Sequence, residues 1–112
     1  MTTKQRQYLK GLAHHLKPIF FIGKEGITET GVRAIEAAFN TRELLKIKVQ
    51  ESAPDEARKG GRELAEQVAG AHLVQVIGRT IVLYRPHPQD PQIKLPKPKA
   101  PAEKLAGKEE PP

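Results

Sequence analysis

Four consecutive residues, Gly23-Lys24-Glu25-Gly26, have the types and spacing to hold an anion. Glycine lets a backbone approach a phosphate closely and take dihedrals closed to other residues. Amides at the start of a following helix are unpaired and carry the positive end of its dipole. Lys24 adds a mobile point charge. KH domains clamp nucleotide backbone with a loop of this G-x-x-G form. The competing reading is a plain turn. Glu25 would repel phosphate unless its side chain turns outward, so an outward orientation is expected. A Walker A loop is excluded, because Ile27-Thr28 follows the second glycine where Lys-Ser/Thr is required. The pattern is not G-x-G-x-x-G either, so nucleotide hydrolysis and dinucleotide binding are not expected.

Residues for catalysis are few. Ser52 is the only serine, Asp55 and Asp90 are the only aspartates, and cysteine is absent. Disulfides, thiolate chemistry and cysteine-ligated zinc are thereby excluded. The histidines are His14, His15, His72 and His87. His14 and His15 are adjacent, so on a helix they point to different faces and make a poor metal pair. No nucleophile, base and orienting group can be assembled. The expectation is a protein without catalytic activity, metal or cofactor.

The elements that would position the loop follow from periodicity. Residues 3–16 read as a helix, with Tyr8, Leu9, Leu12, Ala13 and Leu16 on its apolar face, Thr2 or Thr3 as cap and Pro18 as stop. At 100° per residue, Arg6, Lys10, His14 and Lys17 form a basic stripe beside that face. Ile19 to Ile22 reads as a short buried strand leading into the loop. A second helix is expected from about Thr28 to Phe39, with Thr28 as N-cap. Leu45, Ile47 and Val49 alternate with Lys46 and Lys48, which predicts a strand with one buried face and one wet, basic face. A third helix is expected from about Asp55 to Val68, closed by Gly70 and weakened in its middle by Gly60-Gly61, so that it is either broken there or starts late. Leu73 to Ile77 and Thr80 to Tyr84 read as strands joined through Gly78-Arg79 by a type II′ turn. The order α-β-α-β-α-β-β implies a layered α/β domain with a mixed four-stranded sheet.

Eight of the ten prolines lie from Pro86 onward. The domain is therefore placed at residues 1–86, with a Pro/Lys-rich, disordered tail at 87–112. Lys and Arg total 19 against 13 Asp and Glu, for a net charge of +6. The tail holds five lysines against four acids, so 14 basic and 9 acidic residues belong to residues 1–85. A basic folded part suits a polyanionic partner. The polar N-terminus has no apolar signal core and no stretch is long enough to span a bilayer, so a soluble cytoplasmic protein is expected. It is taken as a monomer, without a sequence feature that fixes the oligomeric state.

The run Leu12-Ala13-His14-His15-Leu16-Lys17-Pro18, then Ile22-Gly23-Lys24-Glu25-Gly26, and finally Leu73 through Arg85, resembles the YhbY family of bacterial stand-alone CRM (chloroplast RNA splicing and ribosome maturation) domains. The resemblance covers about residues 2–85. It implies a fold similar to the C-terminal domain of a bacterial translation initiation factor. It also implies RNA binding and a role in ribosome assembly on precursors of the large subunit, where ribosomal RNA would be the partner. Plant relatives act in group II intron splicing. The family's proposed RNA contacts map to Gly23, Lys24 and Gly26, and beyond them to the basic stripe.

Three readings compete. An RNA-binding assembly factor would use the loop, the stripe and Lys46 and Lys48 to hold phosphates, largely without reading bases. A protein-interaction adaptor would dock an acidic ribosomal or other protein on the same basic face. DNA binding lacks a base-reading helix. Of the five aromatics, Tyr8, Phe20, Phe21, Phe39 and Tyr84, at least three are assigned to the core, so recognition by backbone and shape rather than base stacking is expected.

Overall fold

The computed structural model describes residues 1–54 and 56–96. Helix α1 (Thr3–Ala13) opens with a reciprocal capping box. The Thr2 hydroxyl accepts from the Gln5 amide at 3.1 Å, and the Gln5 side chain accepts from the Thr2 amide at 3.0 Å. The helix ends at Ala13, earlier than its apolar spacing suggests. The Leu16 amide donates to the Ala13 carbonyl at 2.9 Å, which tightens the last turn. Lys17 precedes Pro18 and is pushed toward extended geometry. The Ile19 amide then donates to the Lys46 carbonyl at 3.0 Å, which docks the chain on the sheet.

Strand β1 (Phe20–Ile22) runs parallel to β2 (Leu44–Val49), with α2 (Glu29–Ala38) between them. The Thr28 hydroxyl caps α2, accepting from the Gly31 amide at 3.0 Å. Helix α3 (Ala57–Gln67) leads to β3 (His72–Ile77), and β4 (Thr80–Tyr84) inserts between β3 and β2. The sheet order is β1-β2-β4-β3, with both pairings of β4 antiparallel. Gly78 takes φ 56°, the positive value a type II′ turn needs at its first loop position. The expected element order and mixed four-stranded sheet are therefore present.

Two cores flank the sheet. On one face, Val32, Ile35 and Phe39 of α2 and its C-terminus pack with Leu64 and Val68 of α3 and its end against Leu45, Ile47, Ile81 and Leu83. On the other, α1 lays Leu9 and Ala13 on Leu44, Val74, Val82 and Tyr84. Among the described residues α1 is the one helix on this face, and it buries only this narrow i, i+4 pair. Tyr8, Leu12 and Leu16, expected in the core, are 42%, 37% and 38% exposed.

The break expected at Gly60-Gly61 does not occur. A Cβ at Gly61 would stand 3.0 Å from Leu73 Cδ1, so the missing side chain brings α3 close to β3. The start expected at Asp55 lies outside the described residues.

Packed structure also extends past residue 86. Ile93 and Leu95 pack against the α1 core, and the Gln5 side chain donates to the Pro96 carbonyl at 3.0 Å. Glu43 is 6% exposed, and its carboxylate accepts backbone N–H bonds from His87 (2.6 Å), Gln92 (2.8 Å) and Ile93 (2.7 Å). Residues 87–96 thus form a strap rather than the beginning of a free tail. The remainder of the expected tail lies outside the described residues.

Candidate nucleic-acid interface

Three connections meet at one end of the sheet. β1 and β2 are parallel and both finish there, while Lys48 pairs with Thr80 beside the β3–β4 turn. The Gly23–Gly26 segment, the connection after Val49 and Gly78-Arg79 therefore lie side by side. The Gly26 amide donates to the Gly23 carbonyl at 2.9 Å, closing a four-residue turn with Lys24 and Glu25 at its tip. Both tip side chains are exposed. Gly26 has φ 71°, and a Cβ there would lie 3.1 Å from Pro54 Cγ. A Cβ at Gly23 would lie 3.2 Å from Gln50 Oε1. The glycines thus let the turn close and seat it against the β2–α3 connection.

The basic residues expected to form one stripe are divided among different tasks. Arg6 is half-buried, and its Nη1 donates to the carbonyls of Leu73 (2.6 Å) and Val74 (2.9 Å) at a bulge in β3. Lys10 and His14 line a groove with Lys46, Gln75 and Ile77 between α1 and the sheet. Lys46 Nζ also donates to the Leu16 carbonyl at 3.0 Å and ties down the end of α1. Lys17 lies beyond the helix and is exposed, so helical spacing does not position it. The wet face expected for β2 is only partly open. Leu44 is buried under α1, Lys46 is half-buried and Lys48 is exposed.

Sequence reasoning missed Arg58 and Arg62 on α3. Both are exposed and line a groove along the β3 edge with Arg6 and Lys10. Arg58 also lines the end cleft with Pro54, Glu56 and Arg79, where Arg79 pairs with Glu51 at 3.3 Å. Arg58 and Lys10 are therefore shared by successive grooves. Basic groups run from the Lys24 turn, past Pro54 and Arg58, along the β3 edge to Lys10, and on to His14 and Lys46. The i, i+4 spacing of Arg58 and Arg62 was the available signal. Among the described residues, no group of three or more His, Cys, Asp or Glu could hold a metal, and no helix is long and apolar enough to cross a membrane.

A lysine-tipped turn at the sheet end and arginines along the β3 edge give this small α/β domain a basic surface. The particular family is shown by comparison: residues 1–85 match the CRS1 / YhbY (CRM) domain, and the chain belongs to this family. A Bacillus subtilis relative named "Probable RNA-binding protein YqeI" is 38% identical over 96 residues, 86% of this chain and 99% of its own. A Haemophilus influenzae relative named "RNA-binding protein" is 40% identical over 97 residues, 87% of this chain and 96% of its own. The solution structure of a hypothetical Staphylococcus aureus protein matches with a TM-score of 0.66 and 40% identity, covering 86% of this chain and 99% of that one.

Proposed function

We propose that this protein binds RNA through its backbone and acts in ribosome assembly on large-subunit precursors. The observation that carries the RNA reading is the succession of shared basic grooves leading from the Lys24 turn to Lys46. Such a path suits a chain of phosphates, with Lys24, Lys10, His14, Lys46, Arg58 and Arg62 as contacts. Gly23 and Gly26 shape the turn, Arg6 braces the groove wall, and Lys17 and Lys48 extend the basic surface. The RNA-binding names of the two relatives support the same partner. The ribosomal assignment rests on the family resemblance.

Roughly four to six phosphates engaged would make log K fall with log salt at a slope of about −3 to −5. Lys24→Ala is expected to weaken RNA binding and make the slope shallower by about one. Glu25→Gln should leave affinity equal or slightly higher, since it removes an anion from the tip. A salt-independent affinity, or a Lys24→Ala variant binding as the parent does, contradicts the phosphate path. Co-sedimentation with large-subunit precursors that ribonuclease abolishes would support the cellular role.

The exposed stripe Tyr8, Leu12 and Leu16 favours a second reading, an adaptor for a protein partner. Co-sedimentation that survives ribonuclease, with no affinity for purified RNA, selects it.

A further inference from the structure

Among the described residues, one row of the sheet lies open on the α1 face. Phe21 pairs with Lys48, Lys48 with Thr80, and Thr80 with Ile77, so these four side chains line up across all four strands. The next row inward carries Lys46, Val82 and Gln75, and α1 covers its centre: Val82 packs with Leu9 and Ala13. Beyond that cover, Phe21 is 61% exposed and Ile77 57% exposed. Lys48 between them is also exposed. Phe21 was expected within a buried strand. It faces outward because β1 is an edge strand and only Phe20 and Ile22 point to the α2/α3 core.

We infer that Phe21 is a stacking platform for an unpaired nucleobase, with Lys48 beside it to hold the adjoining phosphate. This rests on the RNA-binding reading above and adds a contact that backbone recognition alone does not require. Three observations select this occupant. The row presents an aromatic ring and an ammonium on neighbouring strands, about 5 Å apart in backbone spacing. That pairing of π-face and cation is what single-stranded nucleic acid uses. The charge nearby is complementary to a polyanion, with Lys46, Lys10 and His14 lining the adjoining groove. Phe21 also lies two residues before Gly23, so a strand held by the turn passes the ring. Inside a duplex each base is paired and stacked on both faces, which makes the site selective for unpaired loops, bulges and single-stranded tails.

The chain contains no tryptophan, so Phe21→Trp introduces a single reporter at an exposed position. Three probes are compared: a short single-stranded RNA of mixed sequence, the same strand built from abasic nucleotides, and a blunt RNA duplex. The indole at position 21 is expected to be quenched by the intact strand and not by the abasic strand or duplex. Phe21→Ala should weaken binding of the intact strand by about tenfold while binding the abasic strand as the parent does. Its salt slope should be unchanged, which separates it from Lys24→Ala. If the intact strand binds the parent with a steep salt slope, but the indole is unquenched and Phe21→Ala binds it equally well, the platform falls and the phosphate path stands. Such a result returns the row to a protein partner or a second copy. If the parent binds no RNA, both readings fall together.

Discussion

Glu43 is the residue whose role is hardest to foresee from its neighbours in the chain. It lies just before β2, yet its carboxylate gathers three backbone amides from residues 87, 92 and 93. Burial pushes its pKa up. The three N–H bonds and the charge on His87 outweigh burial and hold the carboxyl below its ordinary value of 4.5. The Tyr84 hydroxyl is pushed the other way, by its own burial and by the nearby Glu43 charge. A carboxylate depressed in the folded state contributes stability that is fully present above its unfolded pKa and is lost as pH falls through the folded one. The strap should therefore be held unchanged at neutral pH and loosen progressively below about pH 4.5. Amide exchange and NMR shifts of Gln92 and Ile93 would follow this. Glu43→Gln should weaken the strap at neutral pH by about 2 kcal/mol and remove that pH dependence. A strap equally ordered at pH 3 in the parent would refute the assignment. None of this could be read from composition. Proline-rich sequence argues against a core of its own, but not against docking on one already built.

At the scale of elements, the order of helices and strands was legible because each carries its own period and its own punctuation. The Thr2 and Thr28 caps, the alternation of Leu45, Ile47 and Val49, and the Gly78-Arg79 turn all signal locally. What local signals could not convey is which side of an element finds a partner. Tyr8, Leu12 and Leu16 have core spacing, but among the described residues α1 has no second helix on its face of the sheet to cover them. Gly60 and Gly61 show the same limit. Helix propensity treats both as weak points, yet they meet different surroundings. A Cβ at Gly60 would find only ordinary contacts, 3.7 Å to Ile27 Cδ1 and 3.8 Å to Ile81 Cδ1. At Gly61 it would meet Leu73 at 3.0 Å and both Ile81 and Val76 at 3.4 Å. Gly60→Ala is expected to stabilise by up to about 1 kcal/mol, as propensity dictates. Gly61→Ala is expected to destabilise by roughly 1–3 kcal/mol through overpacking. Thermal or urea unfolding of the two variants decides it, and equal effects would show that α3 does not sit as close as described.

For the whole molecule, the candidate surface is assembled from parts distant in the chain. The loop was legible because its glycines, its lysine and the adjoining strand and helix are contiguous. Arg58 and Arg62 were not, since their value depends on α3 and α1 facing one another across the β3 edge. A double change, Arg58→Ala with Arg62→Ala, is expected to make the salt slope of RNA binding shallower by about two while leaving the melting temperature nearly unchanged. An unaltered slope would confine the binding surface to the sheet end. The bulge in β3 bears on a different matter, how the edges of the sheet meet other chains. An open sheet edge is a template on which another chain can add a strand. Here the irregular register between Leu73 and Gln75 interrupts that template, and the Arg6 guanidinium occupies the carbonyls of Leu73 and Val74 from the side. At the opposite edge, β1 offers only three residues. Both borders of the sheet are thus poor templates for the addition of a further strand.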